Sequence, residues 1–401
     1  MDDLDWNSVN HLYGSGLEVR NLLEKIWSES PAERVSAYEE LTELLVGDGM
    51  ASPAGVEAVP YLVDLVGSDN APDRFAACRL LAAIAVGDDE RWLQNRMSVT
   101  LIRAEVERMS GLTTEELLRE KDAWVSAAPT DEERAARGRS AQFASVKAER
   151  EQQVLHMRSY DAVMAGVPTF IGALAASSST LRLYAAYLLS WFPERAKLTE
   201  SALARALVVE EDSEVAAVMC VSAGLACGPN SRLFELVKER ARSHSRRERW
   251  ASAMGQARLI AQPSRELIAD LYDCVFARTR DIHNWPYVYG SMSATASLIA
   301  QSLSDKSSNE RIEVIIGRLA MGDPEDDTFR LFRALLQAAF PSGSAPAGTP
   351  FRGLAAHQRK AMLAVARYEG LRKQPEINHM FRHFGLPFEH DSFNEWLKDV
   401  S

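Results

Sequence analysis

Two histidines, His379 and His383, stand one helical turn apart in the run HMFRH, and His390 follows two turns later. Imidazoles at i and i+4 share a helix face, a spacing that can ligate zinc. A zinc protease also needs a glutamate directly after the first histidine as general base. Here Met380 holds that place, and no acidic residue lies between the pair. The expectation is therefore histidines of an exposed terminal cap, with no metal and no other cofactor. Nucleophilic chemistry has no firmer footing, because the sequence lacks a Gly-x-Ser-x-Gly elbow. Gly14-Ser15-Gly16 lacks the lysine and helix of a phosphate loop and reads as a turn. The cysteines, Cys78, Cys220, Cys227 and Cys274, lie in apolar helical stretches without a CxxC pair. They read as buried thiols of a reducing compartment.

Binding chemistry has two candidates. The run RARSHSRRERW gathers Arg240, Arg242, Arg246, Arg247 and Arg249, and the last three are candidate phosphate contacts. Glu235, Glu239 and Glu248 dilute that patch. The whole chain carries 45 basic and 56 acidic residues, a net charge of -11, and so repels nucleic acid and anionic lipid on average. The second candidate is RDIHNWPYVYGSM, where Pro286 and Gly290 break the helical pattern around Trp285, Tyr287 and Tyr289. Such residues anchor interfaces because they bury much area at little entropic cost. The competing role is a packed plug beneath a loop. Trp285, Tyr287 and Tyr289 are taken as partner-binding residues.

The elements that must position these groups announce themselves by repetition. VPYLVDLVGSDNAPDRFAACRLL, from Val59, and VPTFIGALAASSSTLRLYAAYLL, from Val167, superpose at one offset, aligning Pro60 with Pro168 and Arg74 with Arg182. Each phrase reads as a helix opened by Val-Pro, a polar loop and a second helix rich in Ala and Leu. Further second helices begin near Ala185, Ala216, Ala251, Met292 and Leu331. Their spacing of roughly 30 to 40 residues is that of a two-helix solenoid repeat. Paired small residues, such as Ala76-Ala77, Ala216-Ala217 and Ala251 with Ala253, let neighbouring helices approach closely. Ser30-Pro31-Ala32-Glu33 marks a helix start. No Val, Ile and Thr run alternates with period two, so strands are not expected.

Two segments break the rhythm. From Arg103 to Glu151 the chain is densely charged yet helically spaced, and reads as an inserted helical segment with a solvated face. PSGSAPAGTPFRG, from Pro341 to Gly353, reads as a linker. The expected organisation is a repeat solenoid over 1–340 with a charged insertion near 103–151, a linker at 341–353 and a helical cap at 354–401. The longest nearly apolar run, Phe75 to Val86, falls short of the roughly 20 residues that span a bilayer. The acidic start, Met1-Asp2-Asp3, is unlike a secretory signal. A cytoplasmic protein without membrane association is expected.

The period, the Val-Pro helix and the Ala-rich partner resemble HEAT repeats. More narrowly, HLYGSGLEV, AVPYLVDLV, LLAAIAVGDDE, YLLSWFPE and the late FGLP resemble phrases of a group of uncharacterised bacterial HEAT-repeat proteins. Where that group often has His-Gln-Gly before the first Val-Pro helix, this chain has Val46-Gly47-Asp48-Gly49. The resemblance implies an all-α solenoid and carries no active site. It implies a non-enzymatic scaffold whose concave face binds another protein or a peptide. Two alternatives stand beside it: a HEAT-fold DNA-binding protein like the base-excising glycosylases, and an immunity or antitoxin protein that occludes a toxin.

Overall fold

The computed structural model describes residues 4–398 apart from 48, 96–97, 144, 230, 278–284, 322–324, 342, 347 and 369–374. The fold is an all-α solenoid of HEAT-like two-helix repeats. The chain forms two compact units, Met1–Ala206 and Leu207–Ser401. The first holds α1 (Leu17–Lys25), α2 (Pro31–Leu45), α3 (Pro53–Gly67), α4 (Arg74–Val86), α5 (Asp89–Asn95), α6 (Val99–Ser110), α7 (Thr114–Ser126), α8 (Asp131–Phe143), α9 (Val146–Ala165), α10 (Val167–Ala173) and α11 (Ser179–Leu189). The division falls inside α12 (Ala196–Val209). The second unit then holds α13 (Ser213–Ala226), α14 (Arg232–Arg240), α15 (Arg246–Leu259), α16 (Arg265–Val275), α17 (Met292–Gln301), α18 (Ser308–Ala320), α19 (Glu325–Ala339), α20 (Ala356–Ala366), α21 (Pro375–His383) and α22 (His390–Leu397). Strand pairing among the described residues is one short antiparallel ladder, β1 (Val46–Gly47) against β2 (Met50–Ala51), and an isolated bridge between Asn10 and Ser15.

Local chemistry starts the helices. Ser30, Ser52, Ser178, Ser231, Ser245, Ser264 and Ser291 each stand in extended backbone and accept the amide three residues on, which satisfies one otherwise orphaned donor. Glu33 does not close the capping box that its spacing suggests, because its carboxylate takes the Ser28 hydroxyl instead. The two copies of the Val-Pro phrase also differ. Val167-Pro168 opens α10 as expected, but Val59-Pro60 lies inside α3, which begins six residues earlier at the Ser52 cap and Pro53. The second copy breaks at Gly166, where a Cβ would meet Val63 at 2.8 Å and Phe170 at 2.7 Å, so α3 and α10 crowd that joint.

Within each unit the second helices of successive repeats stack: α2, α4 and α11 in the first, α13, α15 and α17 in the second. The α13–α15 seam is the closest. A Cβ on Gly224 would lie 2.5 Å from the Gly255 carbonyl oxygen, and one on Gly255 would lie 2.2 Å from that of Cys220. Here the small residues bring backbone against backbone. The charged segment forms α6, α7, α8 and the first turn of α9, with α7 packed on α8 and α6 on α9. It is latched down by Arg103, which pairs with Asp161 and Glu194. Most described residues of the 341–353 segment are exposed, but the segment is anchored at three points: Ala345 and Phe351 are buried, the Ala345 amide donates to the Phe384 carbonyl at 3.0 Å, and the Trp396 indole donates to the Thr349 carbonyl at 2.9 Å.

Candidate interaction sites

The aromatic loop does not present its three rings on one surface. Trp285 is 4% exposed and Tyr287 fully buried, whereas Tyr289 is 89% exposed. Their ring centroids explain the first two: Trp285 and Tyr287 lie 5.4 Å apart, the indole donates to Thr295 Oγ1 at 2.9 Å, and the Tyr287 hydroxyl bonds Ser222 Oγ at 3.0 Å. The chain then turns through three consecutive left-handed residues, Val288 (φ 47°), Tyr289 (φ 51°) and Gly290 (φ 86°). That conformation costs about 1–2 kcal/mol for each residue with a side chain, a cost offset by burying Trp285, Tyr287 and Val288. Trp285 and Tyr287 thus act as a plug in the second unit, and the turn lifts Tyr289 out of it. Residues 278–284 of the same stretch, including Asp281 and His283, lie outside the described residues.

Arg240, Arg246, Arg247 and Arg249 are committed to their own chain. Arg247 pairs with Glu214, and Arg240 with Glu248 at 2.9 Å. Arg249 donates to the carbonyls of Ser243 and His244 at 2.9 and 3.2 Å. The same bonds, to the carbonyls six and five residues back, are made by Arg34 to Ser28 and Glu29 and by Arg182 to Ala176 and Ser177. In each case the arginine follows the capping serine by four residues, and its guanidinium ties the incoming loop to the second helix. A Ser-x-x-x-Arg pattern at Ser30, Ser178 and Ser245 was the sequence signal for this clamp.

Arg246 belongs to a hub. It lies 4.6 Å over the Trp250 ring and contacts Asp273 at 2.8 Å, and Asp273 also accepts the Trp250 indole at 2.9 Å and pairs with Arg318. Burial alone would raise the Asp273 carboxyl, but the bonds from Arg246 and Trp250 outweigh it and hold the group below its usual range. Asp273→Asn is expected to cost about 2 kcal/mol, as charge-assisted bonds to a half-buried carboxylate are lost. The folded pKa is depressed, so this stability is present above the unfolded value of 3.8 and is lost as pH falls through the folded one. Melting temperature against pH should therefore show an acid limb that flattens in the variant; an unchanged limb would exclude the hub as its source.

His379 and His383 are both exposed at the end of α21, and His383 packs edge-on against Phe384. His390 lies beside Asn394 at 3.1 Å. Burial pushes the Cys78 and Cys220 thiols up to about 12, so they remain protonated packing groups.

Sequence reading missed a knot in the first unit. Trp92 stacks on Tyr160 at 6.0 Å and meets Trp191 edge-on at 6.4 Å. The Tyr160 hydroxyl donates to Glu194 at 2.6 Å, and the Arg103 guanidinium lies 5.7 Å over the Tyr160 ring. Burial and the Glu194 bond raise the Tyr160 hydroxyl well above its usual range, which keeps it a donor. Through Arg103, at the start of the charged segment, the knot ties that segment to Tyr160 and to Glu194 of the YLLSWFPE phrase.

It also missed a groove. Between α2 and α4 lies a cavity of about 480 Å³ lined by Val35, Tyr38, Phe75, Ala76, Leu80 and Ala83, with Glu39, Glu43, Asp73 and Arg79 at its edges. Tyr38 is 9% exposed, and its buried hydroxyl has no hydrogen-bond partner among the described residues. Val35 is 55% exposed at the rim. In this seam the small residues of α4 face side chains of α2 that do not fill the gap. A second cavity, of about 470 Å³, lies in the charged segment beside Trp124, which Arg137 covers at 5.0 Å.

No protein-family model matches the chain, and no curated protein matches it. Among solved structures it is similar to importin beta crystallised in a polyethylene glycol condition, at 13% identity and a TM-score of 0.34, over 95% of this chain and 49% of the other. It is likewise similar to importin beta from an ammonium sulfate condition, at 13% identity and a TM-score of 0.32, over 96% of this chain and 48% of the other. The chain spans about half the length of the importin beta chains it matches.

Proposed function

We propose that the chain is a non-enzymatic scaffold that binds another protein or a peptide, as its resemblance to bacterial HEAT-repeat proteins implies, and that it works in the cytoplasm. The observation that supports this reading is the α2–α4 groove, an open and largely apolar cleft between stacked helices of the first unit. Tyr289, held out of the core by a strained turn, is a second contact in the same reading. The arginines give the nucleic-acid alternative little support, because Arg246, Arg247 and Arg249 spend their guanidinium groups on the protein itself. No helix among the described residues is long and apolar enough to cross a membrane. The division into a solenoid to residue 340 and a cap from 354 is carried as part of the proposal.

The test is affinity capture from native cytoplasm with the full chain as bait and identification of what is retained. One protein retained in stoichiometric amount is the expected result. Retention of DNA alone, saturable at physiological salt and abolished by replacing Arg246, Arg247 and Arg249, would put the nucleic-acid reading in its place.

A further inference from the structure

We propose that the α2–α4 groove is the docking site for a peptide segment carrying one bulky apolar side chain flanked by lysine or arginine. This rests on the scaffold reading and names the partner's chemistry. The floor, from Tyr38, Ala76, Leu80 and Ala83, is apolar and of a size that takes a large side chain. The rim supplies the polarity. Glu39 and Glu43 are exposed one turn apart on α2, without an ion pair among the described residues. Asp73 closes one end, its carboxylate already held by Arg34 at 2.6 Å, and Arg79 faces the groove from α4.

The α2 wall therefore presents only uncommitted carboxylates, and a cation on the peptide that faces this wall meets both. Arg79, opposite, suits a peptide carbonyl. Tyr38 provides the independent sign of a missing partner: a buried hydroxyl that has no hydrogen-bond partner among the described residues is costly unless a polar group is brought to it. A backbone group of a peptide seated on the floor answers that need, and a purely apolar occupant does not. Two acids spaced along the helix also favour a chain laid along the groove over a compact molecule.

The test selects peptides from a random display library against the purified full chain and measures the enriched sequences by fluorescence anisotropy over a range of salt. The expected winners pair an aromatic or branched aliphatic residue with Lys or Arg. Glu39→Lys with Glu43→Lys, both on exposed positions, should leave the melting temperature unchanged, weaken the peptide by about tenfold and flatten its salt dependence. Tyr38→Phe should keep or raise the melting temperature and still weaken the peptide, which a tyrosine with a packing role alone would not do. Enriched peptides without basic residues, or affinity indifferent to both variants, would overturn the proposal, as would the absence of any enriched peptide. Capture repeated with the doubly reversed chain separates the two readings. A native protein retained equally by both forms removes the groove and leaves the scaffold; no protein retained by either removes the scaffold as well.

Discussion

Trp285→Ala should destabilise the protein by about 4 kcal/mol, the range of an aromatic-to-alanine change in a core. The indole is 4% exposed, lies on Tyr287 and donates to Thr295. Alanine removes the packing, leaves a cavity under the left-handed turn at Val288 and Tyr289, and deletes the burial that offsets that strain. Tyr287→Phe should cost only about 1 kcal/mol, because Ser222 keeps its bond to the Val218 carbonyl at 2.8 Å. Tyr289→Ala should fall within about 0.5 kcal/mol, as surface changes do. Urea midpoints for the three variants decide the matter. A Trp285→Ala chain as stable as the parent would mean that the plug is not in place in solution.

Gly255→Ala is the second large effect, about 3 kcal/mol, and it acts by excess rather than by loss. The added methyl would lie 2.2 Å from the Cys220 carbonyl oxygen, a backbone atom that cannot turn away. Helices α13 and α15 must then part along their seam, which loosens the packing around buried residues of both helices such as Met219 and Met254. Gly317→Ala serves as the control. That glycine is also inside a helix, but a Cβ there meets nothing within 4 Å, so the change should stabilise by roughly 0.5–1 kcal/mol. Thermal unfolding of the pair with opposite signs would confirm the seam; two small shifts of the same sign would mean that α13 and α15 stand further apart.

The two glycines show how much of the fold could be read in advance. Ala216-Ala217 and Ala251 with Ala253 already said that these helices run close, since small residues in an apolar helix have little other use. That Gly224 and Gly255 are the points of contact depends on how one helix is rotated against the next, and periodicity does not encode that angle. The clamp is a similar case. Ser-x-x-x-Arg is written openly at Ser30, Ser178 and Ser245, but only the carbonyls it reaches distinguish a loop tie from a phosphate contact.

By itself the sequence determined the class of fold, because helical spacing, capping serines and a recurring hairpin are local properties that each stretch carries wherever it is placed. It also determined the repeat and the helical character of the charged segment. The tertiary structure decided which exposed-looking residues remain exposed. Trp285 and Tyr289 are close in sequence and alike in chemistry, but one is pinned by Thr295 and the other is turned outward by a left-handed backbone. It also decided that Val59-Pro60 would run through a helix while Val167-Pro168 began one, since the difference lies in the Ser52 cap before one copy and the crowded Gly166 before the other. The groove could not be read in the chain at all. It is a gap, defined by side chains of α2 and α4 that do not meet, and Tyr38 and Arg79 become neighbours across it only when the two helices are stacked.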